Sequence, residues 1–258
     1  SWIVEPQAGW KKEFGKARLS LLAGATFQEV QRESLVEQFS GYPSDALLGA
    51  YRAANDYQVL SHHVSDYRYT AAYGRANINW DGKYILNLTA RRDGSSRFGP
   101  ENRMANFGAV GSAWVFTEED FAKGLAPVLS FGKVHFSYGT TGNDQIGDYT
   151  YLDTFNPVGS YQGISGLFPA RLYNPDLAWE INRKLEAGLS LAFFDDRLMA
   201  AGSYYRNRSS NQLITYPLAR VTGFNGIQDN FDAEVQNTGL ELELSSTNIR
   251  RGDLTWTT

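Results

Sequence analysis

The chain has 258 residues, 24 Lys and Arg against 28 Asp and Glu, a formal net charge of −4 and no cysteine. With no long basic block it is not built to bind nucleic acid, and no run approaches the ~20 consecutive apolar residues of a membrane helix. Helical spans are thereby excluded, but a membrane β-barrel is not, because barrel strands turn half of their residues toward a polar lumen and score as soluble on average.

The start, Ser1-Trp2-Ile3-Val4-Glu5-Pro6, lacks the basic residues and apolar core of a signal peptide. It reads instead as a strand already under way, over 2–11. Period-two alternation marks a strand with two unlike faces. It appears over 16–29, where Leu19, Leu21, Ala23, Ala25 and Phe27 share one face. Over 67–80, Ala72, Gly74, Ala76, Ile78 and Trp80 oppose Tyr73, Arg75, Asn77 and Asn79. An Asp81-Gly82 turn leads into 83–92, where Tyr84, Leu86, Leu88 and Ala90 oppose Asn87, Thr89 and Arg91. A strand over 103–116 carries apolar residues on both faces, and Thr117-Glu118-Glu119-Asp120-Phe121 has the cap and early acids of a single helical turn.

Over 128–139, Val134, Phe136 and Tyr138 oppose Lys133, His135 and Ser137. Over 181–194, Leu185, Ala187, Leu189, Leu191 and Phe193 form the apolar side and Glu186 lies on the other. Strands over 197–208 and 235–248 follow, the second setting Leu240, Leu242 and Leu244 against Glu241 and Glu243. Another begins at 253, so both ends look cut through structure, as in an internal piece of a longer protein.

These ~10 strands exceed the ~5–6 residues usual in soluble sheets and suit a tilted bilayer crossing of ~9–11. Their connections alternate in length: short near 12–15, 81–82, 117–127, 195–196 and 249–252, long near 30–66, 93–102, 140–180 and 209–234. Short turns on one side and long loops on the other describe an outer-membrane barrel. The fold expected is all-β, an antiparallel transmembrane barrel segment in which residues 1–258 belong to one barrel domain. Trp80 and Tyr84, and Phe193-Phe194, bracket short turns where an interfacial aromatic girdle belongs; ordinary cross-strand packing in a soluble sheet is the lesser alternative.

Arg75, Arg91, Lys133, Glu186, Glu241 and Glu243 occupy the polar face, which points into the lumen of a barrel and into solvent in a sandwich. In the long loop over 140–180, Tyr149, Tyr151, Phe155, Tyr161, Phe168 and Tyr173 lie among glycines and aspartates. Such rings suit sugars or peptides, and they equally suit packing of the loop on itself. Asn143, Asp144 and Asp148 are a weak candidate for loop calcium, without the EF-hand spacing. His62, His63 and His135 match no zinc-enzyme spacing and no Gly-x-Ser-x-Gly occurs, so neither a cofactor nor a catalytic site is expected.

The phrase Arg91-Arg92-Asp93-Gly94-Ser95-Ser96-Arg97-Phe98-Gly99 is followed in order by Lys133–Asn143 (KVHFSYGTTGN), Asn174–Glu180 (NPDLAWE), Asp196-Arg197-Leu198, Tyr204-Tyr205-Arg206 and Asn237-Thr238-Gly239-Leu240-Glu241. From about Gly74 onward these phrases resemble the SusC/RagA type of TonB-linked outer-membrane transporter of Bacteroidetes-like bacteria. The resemblance implies a barrel of roughly 22 strands, completed by a plug and a TonB-contacting region outside these residues. It also implies a SusD-like surface lipoprotein as partner, surrounding outer-membrane lipid, and import of a glycan or peptide. A passive porin or secretion barrel remains the alternative; a barrel enzyme and a soluble sandwich adhesin fit less well.

Overall fold

A computed structural model describes residues 1–162 and 164–258, with the side chains of Val158, Gly159, Ser160, Tyr161 and Ser165 outside the description. The strands are β1 (Trp2–Val4), β2 (Gln7–Phe14), β3 (Ala17–Ser40), β4 (Asp56–Trp80), β5 (Tyr84–Ser95), β6 (Met104–Val115), β7 (Leu129–Asn143), β8 (Thr154–Tyr161), β9 (Ile164–Arg171), β10 (Glu180–Phe193), β11 (Leu198–Ser210), β12 (Gln212–Pro217), β13 (Gly226–Phe231), β14 (Val235–Arg251) and β15 (Leu254–Thr257). One antiparallel sheet runs in the order β1, β3, β4, β5, β6, β7, β10, β11, β14, β15, with β2 also on β3. The expected strand over 2–11 is this β1–β2 pair. Val4 opposes Phe27 and Gln7 opposes Gly24 in one register. Pro6 interrupts the ladder because it has no N–H to donate, though its carbonyl still accepts from Ala25 N at 3.0 Å.

The short turns lie at one end of the sheet. Asp81 and Gly82 take φ of 59° and 74°, left-handed conformations that open the three-residue connection between Trp80 and its strand partner Tyr84. Asn79 Oδ1 accepts from Gly82 N at 2.9 Å and Trp80 O from Lys83 N at 3.0 Å. The helical turn expected at Thr117–Phe121 is a pair of 3-10 turns, Phe116–Glu118 and Asp120–Leu125. Between them Glu119 accepts from Tyr84 Oη, from Lys83 Nζ at 3.1 Å and from Trp114 Nε1 at 3.3 Å. Those donors, Tyr84 foremost, hold its carboxyl below the usual range, and they tie the turn to the aromatic rings beside it.

At the other end the long connections are more structured than their sequences suggest. The stretch 30–66 is not a loop: β3 and β4 run on to Ser40 and from Asp56, with a bulge at Val36/Glu37. β5 ends opposite Tyr69 and β1 begins opposite Glu29. Beyond those points β3 and β4 pair only with each other, as a two-stranded arm roughly 35 Å long at ~3.3 Å per residue. Phe39 closes its tip against Tyr51 and Tyr57, with ring centroids 5.0 and 5.1 Å away. Likewise β8–β9 and β12–β13 are separate hairpins within the stretches 140–180 and 209–234.

Candidate functional site

Register fixes which residues share a face, since directly opposed residues point the same way. Arg75 opposes Thr89, Thr89 opposes Ala109, Ala109 opposes Gly139 and Gly139 opposes Lys184. Glu186 lies two residues along from Lys184 and opposes Ser137 and Tyr205. Lys133 opposes Ser190, which faces Ala201 and then Glu243; Ser203 opposes Glu241. Arg91 opposes Tyr73, two residues from Arg75. Arg75, Arg91, Lys133, Glu186, Glu241 and Glu243 therefore share one face. The same ladders put Ile78, Leu86, Ser112, Phe136, Ala187, Tyr204 and Leu240 on the opposite face. There Leu240, Leu242 and Leu244 are 77%, 86% and 74% exposed.

The polar face has two regions. Across β10, β11 and β14 a groove is lined by Lys184, Glu186, Tyr205, Asn207, Asn237 and Glu241, from mid-sheet toward the long loops. His135 Nε2 stands 3.3 Å from Glu186 Oε1. Toward the long loops the face becomes a small apolar core. Phe98 and Leu177 are fully enclosed with Phe107 and Trp179, and Tyr69, Ala105, Ile146, Tyr151 and Leu213 pack around them. Phe107 comes from the sheet itself, opposite Arg91; Phe98, Leu177 and Trp179 come from the connections folded over it.

Polar contacts fasten this cap. Ser95, fully buried, donates to Asp144 Oδ2 at 2.7 Å, and Tyr67 Oη donates to the same oxygen at 2.8 Å. Arg97 donates to Asp148 Oδ1 and to Asp144 O, both at 3.0 Å, with its guanidinium 4.3 Å from the Tyr67 ring centre. Arg32 reaches the other oxygen of Asp148 at 3.3 Å. Asn174 donates to Gln228 O at 2.8 Å, and Asn230 Oδ1 accepts from Ala178 N at 2.7 Å, linking the cap to β13.

The loop aromatics fall into two groups. Tyr149 accepts from Asp66 N at 2.8 Å and Tyr151 packs on the apolar core, so both are engaged in the cap. Phe155, Phe168 and Tyr173 are exposed, and the Tyr161 side chain lies outside the described residues. Asp144 and Asp148 spend their oxygens on Tyr67, Ser95, Arg97 and Arg32, and Asn143 binds Glu180 and Gln145 N. Among the described residues no cluster of His, Asp or Glu is arranged to hold a metal ion. What sequence reasoning missed is Phe98, Leu177 and Trp179. Their signal was present as phrases in loop-like contexts, where an enclosed aromatic has no periodicity to reveal it.

A family profile described as TonB dependent receptor-like, beta-barrel, matches residues 4–258. TonB-dependent receptor P3 of Formosa agariphila is 32% identical over 262 residues, covering 99% of the chain and 26% of that protein. TonB-dependent receptor SusC of Bacteroides thetaiotaomicron is 27% identical over 257 residues, covering 95% of the chain and 25% of SusC. The chain thus spans about a quarter of the length of these curated relatives. Among solved structures, the RagAB peptide transporter superposes with a TM-score of 0.86 at 30% identity, over 96% of the chain and 28% of its counterpart. The siderophore receptor PirA from Pseudomonas aeruginosa, at 15% identity and a TM-score of 0.55, shares the fold over 99% of the chain and 41% of its own length.

Proposed function

The chain belongs to the TonB dependent receptor-like β-barrel family, and from that premise we propose that it forms barrel wall and outer loops of a TonB-driven nutrient importer. The apolar face meets lipid and the polar face, with Arg75, Arg91, Lys133, Glu186, Glu241 and Glu243, lines the lumen. The Asp81-Gly82 and Asp195-Asp196 turns lie on the periplasmic side. The β3–β4 arm, the cap and the β8–β9 and β12–β13 hairpins lie outside the cell. A bilayer accepts a sheet only when its edges are closed, so further strands beside β1–β2 and β15 complete the barrel.

The observation that carries this reading is the two-faced register held from β3 to β14, with short turns at one end and folded connections at the other. A glycan or a peptide is the substrate class, and a SusD-like surface lipoprotein is the partner. Both rest on the likeness to SusC and to RagAB. Exposed Phe155, Phe168 and Tyr173 supply apolar ring faces for either substrate.

Uptake of labelled oligosaccharides and peptides by cells carrying the full-length receptor tests this. Energised import predicts accumulation that collapses when the proton-motive force is dissipated or TonB is deleted. Uptake indifferent to both treatments overturns import and leaves a passive pore.

A further inference from the structure

The apolar face is not uniform. On β10 its residues are Phe193, Leu191, Leu189, Ala187 and Leu185, and on β11 Leu198, Ala200, Gly202 and Tyr204. None of these is charged. Immediately beyond them, toward the long loops, the same face carries Arg183 on β10 and Arg206 and Arg208 on β11. Arg183 stands directly opposite Arg208, and Arg206 lies two residues from Arg208 on the same side.

Like charges directly opposite on a sheet are destabilising unless something between them is negative. The protein supplies little. Arg183 donates to Ser210 Oγ at 2.9 Å, an uncharged acceptor. Arg208 donates to Gln236 Oε1 at 2.6 Å and stands 3.3 Å from Glu234 Oε1, the one carboxylate in ion-pair contact with the three guanidinium groups among the described residues. All three side chains are half-buried, and a long arginine side chain can keep its stem on the wall while its charged head reaches headgroup level. Farther along the same rim Arg92 projects on this face between Ala72 and Asn106.

We propose that Arg183, Arg206 and Arg208 dock the phosphate of a phosphorylated lipid headgroup in the outer leaflet, an inference resting on the lipid-facing assignment above. The acyl chains of that lipid lie on Leu185, Tyr204 and Leu240. Guanidinium forks match phosphate geometry with paired hydrogen bonds, and the position is one where a membrane-embedded wall passes from hydrocarbon to headgroup. Glu29 pairs with Arg68 at 3.2 Å on the same face, so that neighbouring arginine is already neutralised and is not part of the site.

The test uses the full-length receptor in detergent, titrated with lipid A and read by native mass spectrometry as bound-lipid adducts. Arg206→Gln should weaken adduct formation roughly five-fold, the gain expected of one basic residue at an anionic lipid surface. Replacing all three should weaken it further, and Arg75→Gln on the other face should change nothing. Dephosphorylated lipid A on the unaltered receptor should bind as weakly as phosphorylated lipid A on the triple variant, a comparison that does not depend on the variants folding. A Leu240→Trp receptor in brominated phosphatidylcholine separates the two claims. If its fluorescence is not quenched, the lipid-facing assignment fails. If it is quenched while adducts ignore both the arginines and the phosphate, the headgroup site alone is overturned.

Discussion

Phe98 shows at the scale of one residue why the phrases of this sequence stand where they do. It is 0% exposed in a stretch that reads as loop, because Phe107, Leu177 and Trp179 close over it. Two phrases far apart in sequence, 91–99 and 174–180, are therefore two halves of one core. The phrase 133–143 joins them at Gly142, where a Cβ would lie 2.8 Å from Trp179 Cε3 and closer still to Phe107. Tyr204-Tyr205-Arg206 and Asn237-Thr238-Gly239-Leu240-Glu241 are coupled in the same way. Tyr205 opposes Gly239, and a Cβ there would meet its hydroxyl at 2.6 Å. Phe98→Ala should cost roughly 3–5 kcal/mol of cap stability. Limited proteolysis of the full-length receptor should then cut within 144–180 while the barrel still assembles. Unchanged protection of that stretch would show that the polar clasp of Arg97, Asp144 and Asp148 holds the cap without the aromatic core.

Among the elements, those with strict alternation were the legible ones. β5, β10 and β14 announce both faces because most of each strand sets an apolar side against a polar one. The β3–β4 arm was not legible. Leu35, Val36, Val59, Leu60 and Val64 are exposed there, and the bulge at Val36/Glu37 breaks the period, so the sequence has the irregularity of a loop although the backbone is paired throughout. A two-stranded hairpin is marginally stable by itself in water, which makes the Phe39–Tyr51–Tyr57 cluster its clamp. Phe39→Ala, losing aromatic pairs worth ~0.5–1.5 kcal/mol each, should speed amide exchange over 31–40 and 56–66 and leave 17–29 and 70–80 untouched. Equal acceleration along both strands would mean the arm and the wall open as one unit.

For the whole molecule, family, barrel fold and outer-membrane setting were legible because a barrel wall repeats one physical instruction strand after strand. The candidate site was legible in part. Arg75, Arg91, Lys133, Glu186, Glu241 and Glu243 needed only period-two arithmetic to be grouped. The roles of Tyr149 and Tyr151 needed the path of the loop, which depends on contacts with Asp66 and with the apolar core that no local pattern encodes. Arg183 and Arg208 read locally as ordinary polar residues near strand ends, and Arg206 reads only as part of the phrase 204–206; cross-strand register is what places Arg183 opposite Arg208.

If one sheet separates lipid from lumen, β14 should report both sides of it residue by residue. Nitroxide labels placed singly at 240–245 of the full-length receptor in membranes report collisions with oxygen, which concentrates in hydrocarbon, and with a water-soluble nickel chelate. The ratio of oxygen to nickel accessibility should oscillate with period two, high at Leu240, Leu242 and Leu244 and low at Glu241 and Glu243. A flat profile, or maxima at the glutamates, would contradict it.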